Sequence, residues 1–252
     1  MLTKDQVARY HEDGYVIPDF RLSPDKLERI KQLHAALLER HPEFKDYCNA
    51  LLDYEPSFRE FAEDPEILDM IAQVIGPDIA LWNMSFFAKP AHGGKRTPWH
   101  QDGEYWPIRP LATCTVWLAV DAATPENGCL KFIRGSHKDQ RLKAHNRTDA
   151  TDVTLNQELD PSTYDEAEAV DLVLEPGQIS LHDVYLLHGS EANHSDKPRR
   201  GMTMRFMPTT SLFDRDLAKQ KAEAQKVRDQ SKQKVFLMRG SDRTGRNLFE
   251  NA

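Results

Sequence analysis

His100 and Asp102 stand two residues apart in Trp99-His100-Gln101-Asp102-Gly103, a spacing that turns both side chains the same way if the chain is extended. An imidazole and a carboxylate so placed can share one metal ion, provided a third ligand arrives from elsewhere. Leu186-Leu187-His188-Gly189-Ser190 supplies a histidine at the end of an apolar run. Two histidines and one carboxylate make the facial set typical of non-haem iron, which leaves positions open for oxygen and an organic chelator; a closed structural zinc site leaves none. The chemistry implied is oxygenation.

Two alternatives stay open within this reading. His182 and His188 share strand parity, so periodicity does not choose between them; His188 is favoured because Gly189-Ser190 follows it, where a strand ends and backbone can approach a ligand closely. His182, deeper in the run, reads as a core or supporting histidine, and His92, His137 and His194 fall in loops. Beyond His188, Asn193, Ser195, Asp196 and Pro198 form a turn, and Arg199 opens the returning strand. A guanidinium there suits the distal carboxylate of a dicarboxylic cosubstrate. Arg200 and Arg205 compete with it.

The elements that must position these residues divide the chain. Thr3 with Gln6 forms a capping box before a short helix, and Gly14 to Pro18 reads as a brief strand. Ser23-Pro24 opens a second helix with Leu27, Ile30, Leu33 and Leu37 on one face, and Asp64 caps a third from Pro65 to Ile75. From Ile79 the pattern changes to short runs: Ile79–Ala88, Cys114–Val120, Leu130–Ile133, Val170–Leu174, Ile179–Leu187 and Met202–Met207. Strands of that length suit a sandwich or barrel. Bringing His100 beside His188 favours a jelly roll, and no phosphate-binding glycine loop indicates a doubly wound fold. Arg141 to Glu168 is polar and aspartate-rich, a candidate lid or equally a surface excursion with no role, and Ala218 to Val235 reads as a solvated helix.

Composition narrows the function classes. At 252 residues one elaborated domain is expected, covering 1–252, with a mainly helical part at 1–77, a jelly-roll core at 78–210, the lid at 141–168 and a helical tail at 211–252. A net charge of -7, with 33 basic residues scattered among 40 acidic ones, argues against nucleic acid. Cys48, Cys114 and Cys129 form no CxxC pair and fit buried thiols in a reducing compartment. With neither a secretory pattern at the start nor a membrane-spanning apolar run, a cytoplasmic protein with no membrane partner is expected, as a monomer or homodimer.

Larger stretches resemble the phytanoyl-CoA dioxygenase family of Fe(II)- and 2-oxoglutarate-dependent oxygenases. They are His100-Gln101-Asp102 with Tyr105-Trp106-Pro107-Ile108-Arg109-Pro110; Asn127-Gly128-Cys129-Leu130 running into Arg134-Gly135-Ser136-His137-Lys138; and Glu175-Pro176-Gly177 through His188-Gly189-Ser190, Asn193, Ser195 and Arg199. The resemblance implies a mainly β fold with flanking helices, a double-stranded β-helix or cupin-like jelly roll. It implies Fe(II) on His100, Asp102 and His188, and 2-oxoglutarate held by Arg199 with Gln101, Trp117, Ser190 and Ser85 lining its pocket. It further implies O2 as cosubstrate, ascorbate as a supporting reductant, and hydroxylation of an unactivated C–H bond as 2-oxoglutarate becomes succinate and CO2. Asp102 itself argues for hydroxylation, since halogenating relatives carry a small residue there. The substrate expected is a small polar or anionic molecule, with Tyr105, Trp106 and Arg109 as candidate walls and Lys95, Arg96 and Arg134 as candidate anion contacts. The alternative is a cupin-like metal-binding protein without oxygenase activity.

Overall fold

The computed structural model describes residues 1–250. Two antiparallel sheets face each other as a jelly roll. The larger runs in the order Tyr15–Val16, Ile179–Asp183, Cys114–Ala119, Arg199–Pro208, Ile79–Lys89 and Phe236–Arg239, with Tyr47–Cys48 also paired to Ile79–Lys89. The smaller runs Ala169–Leu172, Leu130–Ile133, His188–Ser190 and Thr97–His100.

Alternation along the strands of the large sheet separates its two faces. Leu81, Met84, Phe86, Val116, Leu118, Met202 and Met204 point outward and are buried with Leu27, Ile30, Leu37, Ile67 and Ile71 of the helices Pro24–Arg40 and Pro65–Ile75. Each such side chain contributes roughly 1.5–3 kcal/mol of burial, which fastens the helical layer to the sheet. The inner face is polar. Asn83, Arg205, Thr115 and His182 are register partners on four successive strands, and Ser85, Thr203, Trp117 and Ser180 form the adjacent row. A bulge sets the phase: Arg205 pairs with Asn83 but Phe206 with Leu81, leaving Trp82 as the extra residue. Inward residues therefore shift from Ala80 and Trp82 to Asn83, Ser85 and Phe87.

The helix signals of the first third are present as read. Thr3 and Gln6 close both arms of the capping box on Lys4–Asp13, and Ser23 and Asp64 cap their helices. Two expectations fail. The run Ile179–Leu187 is not one strand: it stops at Asp183, whose carboxylate accepts from the Tyr185 amide while its carbonyl accepts from the Leu186 amide. The chain then crosses to the other sheet, where His188 begins a new strand. Ala218 to Val235 is helical only as far as Gln225, in a helix that starts at Arg215. Lys226 takes a left-handed conformation there, and the following residues return towards the barrel mouth. Arg141–Glu168 is also more ordered than a bare excursion, since His145–Arg147 pairs with Gln157–Leu159 as a short hairpin.

Candidate active site

His100 closes the strand Thr97–His100, Gln101 is still extended at φ -114° and ψ 129°, and Asp102 opens a short 3-10 turn. The extended link keeps His100 and Asp102 on one side even though Asp102 itself has left the sheet. His188 is the register partner of His100 on the neighbouring strand, and the two rings lie 4.1 Å apart between centroids. Asp102 Oδ1 is 3.7 Å from His100 Nε2 and 4.0 Å from His188 Nε2. One ligand atom from each of the three residues falls within 4.8 Å of the others, and all three residues are buried.

Backbone carbonyls set the imidazole tautomers. His100 Nδ1 lies 2.8 Å from Pro98 O and His188 Nδ1 2.9 Å from Leu186 O, so each ring donates its Nδ1–H to a carbonyl two residues upstream. Each Nε2 is left facing Asp102. Burial, with His100 alongside, holds the His188 imidazolium form well out of reach at neutral pH. Burial alone would raise the Asp102 carboxyl, but the imidazoles of His100 and His182 together with Arg205 outweigh it and keep the group well below the usual carboxylate range. Two imidazoles and one carboxylate, oriented before any ion arrives, are the donor types that a divalent iron site needs.

An inner cavity opens from this cluster and is lined by Trp117, His182, Ser190, Arg199, Thr203 and Arg205 beside His100, Asp102 and His188. Arg199 is 1% exposed. It donates from Nη2 and Nε to Gly128 O (2.8 and 3.2 Å) and from Nη1 to Phe87 O (3.1 Å), with its guanidinium 5.6 Å from the Trp117 ring centre. Burial lowers its pKa to about 10, so it stays a cation at neutral pH. Gly201 makes room for the Trp117 wall, because a Cβ there would overlap the indole. Ser190 turns a buried hydroxyl with no protein partner towards the same region.

The remaining expected residues lie elsewhere or do other work. Gln101 faces away from the cavity: its amide donates to Tyr185 O (2.7 Å) and Arg141 O (3.0 Å) and accepts from the Lys143 amide (2.7 Å). Alternation explains this, since the spacing that pairs its neighbours turns position 101 outward. Ser85 sits behind Arg205, accepting from its Nη1 at 2.6 Å. Arg200 is taken by Asp121 through Nε and Nη2 (2.7 and 2.8 Å). Among the candidate anion contacts, Arg96 pairs with Glu158 (2.7 Å) and Arg134 is exposed. His182 Nε2 lies 3.7 Å from Asp102 Oδ2, with its ring centre 5.2 Å from that of His188, on the strand before the crossing.

A second, larger cavity of about 310 Å³ meets the first at His100, Asp102, Phe87 and Arg205. Tyr105 and Trp106 line it as expected, but Arg109 is exposed. Sequence reasoning missed its other contributors. Tyr47, Asn49 and Asn83 come from the sheet and its edge, Thr154 to Asn156 from the Arg141–Glu168 segment, and Val227, Arg228 and Gln230 from beyond the last helix.

A family model described as phytanoyl-CoA dioxygenase (PhyH) matches residues 3–201. A phytanoyl-CoA dioxygenase domain-containing protein 1 homolog from Caenorhabditis briggsae is 30% identical over 213 residues, covering 81% of this chain and 68% of that protein. The human peroxisomal phytanoyl-CoA dioxygenase is 29% identical over 239 residues, covering 82% and 68%. Among solved structures, the non-heme monooxygenase ThoJ without ligand superposes with a TM-score of 0.77 at 25% identity, over 98% of this chain and 88% of that one. The match spans the helical layer, the smaller sheet, the larger sheet up to the start of Arg199–Pro208, the two-histidine, one-carboxylate cluster and Arg199, and the chain belongs to the phytanoyl-CoA dioxygenase family.

Proposed function

We propose that the protein is an Fe(II)- and 2-oxoglutarate-dependent dioxygenase that hydroxylates an unactivated C–H bond of a small polar or anionic molecule. The observation that carries this reading is the opening of the His100, Asp102 and His188 cluster onto the same buried cavity as the Arg199 guanidinium. His100, Asp102 and His188 would hold the iron, and Arg199 the distal carboxylate of 2-oxoglutarate. Iron and cosubstrate, when bound, supply the activation of oxygen and the decarboxylation to succinate and CO2.

The chain's own contribution is orientation and exclusion of water. Pro98 O and Leu186 O fix both imidazoles, so the ligands need no rearrangement on metal binding. Trp117 stacks on Arg199 and holds its donors in place. The hairpin of Arg141–Glu168 acts as a lid on the outer cavity, tied to the Thr97–His100 region by the Arg96–Glu158 pair and by the Gln101 amide. Three buried thiols fit a reducing compartment. No helix among the described residues is long and apolar enough to cross a membrane. We favour the cytoplasm, with the peroxisome of the human relative as the alternative.

The test is succinate release from 2-oxoglutarate in the presence of Fe(II), O2 and ascorbate, screened with a metabolite panel. Substrate-stimulated succinate that is lost in His188→Ala and Arg199→Met supports the proposal. Metal binding with no succinate under any substrate supports a cupin-like, non-oxidative protein instead.

A further inference from the structure

Arg205 is the cation that the proposed chemistry does not use. It is 4% exposed, lies in the middle of the large sheet's inner face, and lines both the inner and the outer cavity. Phe87 and Trp106 flank its guanidinium at 5.8 and 5.3 Å from their ring centres, and Ser85 Oγ accepts from Nη1. The Nε–H is buried with no acceptor among the described residues. A buried guanidinium with donors unmet costs several kcal/mol unless an anion offsets it.

Charge balance says which side that anion occupies. With Fe(II) bound, Asp102, a dianionic 2-oxoglutarate and Arg199 bring the inner cavity to neutrality, so Arg205 is left as an uncompensated positive charge. The other guanidinium of the outer cavity, on Arg228, is already engaged by Asp53 (2.6 Å) and the Gln233 carbonyl oxygen of the side chain (2.8 Å). Around Arg205 the outer cavity offers aromatic walls from Phe87, Tyr105 and Trp106, while Gln230 holds a buried Oε1 with no donor. That lining suits a compact molecule with one anionic end, an apolar or aromatic body and a hydroxyl or amine able to donate.

We propose that Arg205 is the specificity residue of the outer cavity and that the substrate is a metabolite-sized monocarboxylate whose carboxylate faces Arg205. This rests on the iron and 2-oxoglutarate reading. A planar guanidinium matches a carboxylate, and the cavity of about 310 Å³ encloses a small molecule.

The experiment uses the full chain loaded with Mn(II) and 2-oxoglutarate, titrated calorimetrically with 3-phenylpropionate and with its uncharged amide. Wild type should bind the carboxylate roughly 10- to 100-fold more tightly than the amide, the loss expected when a charge-assisted contact is removed. Arg205→Gln, kept saturated with Mn(II) and 2-oxoglutarate, should bring the two within threefold, and Arg205→Lys should keep part of the preference. Equal binding of the pair by wild type, no binding of either at millimolar concentration, or an undiminished preference in Arg205→Gln overturns the inference. If Arg205→Gln does not fold, the wild-type pair and Arg205→Lys decide. Failure of Mn(II)-loaded wild type to bind 2-oxoglutarate at all sinks the underlying reading and the inference with it, and is measured separately before either probe is added.

Discussion

Replacing Arg199 with methionine should separate binding from stability. In the folded protein this guanidinium is fully buried and its pKa falls from an ordinary 12.5 to about 10, a charging cost of about 3 kcal/mol. Arg199→Met removes that cost but leaves Gly128 O and Phe87 O without their donor, at roughly 1–3 kcal/mol for each buried carbonyl. The two effects oppose each other, so the unfolding free energy of the ligand-free variant, measured by urea denaturation, should lie within about 3 kcal/mol of wild type. Methionine also fills much of the same volume beside Trp117, which limits any cavity. Cosubstrate binding has no such compensation. Losing a buried, charge-assisted contact to a carboxylate costs roughly 2–5 kcal/mol, which weakens 2-oxoglutarate at least 30-fold. Thermal or urea unfolding with and without 2-oxoglutarate reads both quantities: at a hundred times its Kd, the ligand should stabilise metal-loaded wild type by about 2.7 kcal/mol and the variant by no more than about 0.9 kcal/mol at the same concentration. A variant that binds 2-oxoglutarate within threefold of wild type would refute the role given to Arg199. Collapse of the ligand-free fold would show that Arg199 is first a structural clamp between Gly128 and Phe87.

Three further outcomes follow from individual contacts. Gly201→Ala places a methyl group against the Trp117 indole and should cost about 1–3 kcal/mol by urea denaturation, with weaker 2-oxoglutarate binding as the wall shifts; unchanged stability and affinity would count against that packing. Gln101→Leu should lower stability by several kcal/mol through its lost bonds to Arg141, Lys143 and Tyr185, yet leave 2-oxoglutarate affinity within threefold in whatever fraction stays folded. His34, buried and stacked on Phe86 at 4.2 Å, has its pKa lowered to about 4 by burial and, secondarily, by Arg200. An unfolded histidine titrates near 6.5, so the unfolded chain holds more protons between those values and stability falls as pH drops through that window. His34→Phe should remove about 2 kcal/mol of the loss seen by urea denaturation between pH 7 and pH 5; parallel pH profiles for wild type and variant would contradict this.

Local signals were the legible ones. Capping residues, apolar periodicity and the His100–Asp102 spacing act within a few residues, and the structure uses each as written. Gly189-Ser190 favours His188 over His182 in the sequence, but the physical reason for the difference, the crossing after the Asp183 turn, is a tertiary feature with no strong local signal. Gln101 shows a signal present but unused: the alternation that joins its neighbours already turns it away from the cavity. Arg205 had no local signal that set it above Arg199 and Arg200. Its placement depends on the register of four strands and a bulge at Trp82, which are settled by tertiary pairing. The residues beyond Gln225 were read as helix from composition, but Val227, Arg228 and Gln230 instead complete the outer cavity wall.

The most direct measurement is an anaerobic Fe(II) titration of the protein in excess 2-oxoglutarate, followed by the visible charge-transfer absorption of an iron-bound 2-oxo acid. Wild type should saturate at one equivalent, His100→Ala and His188→Ala should each abolish the band at the same concentrations, and Asp102→Ala should weaken it. A wild-type protein that gives no band, or a His188→Ala variant that gives the full one, would contradict the assignment of these three side chains as the iron site.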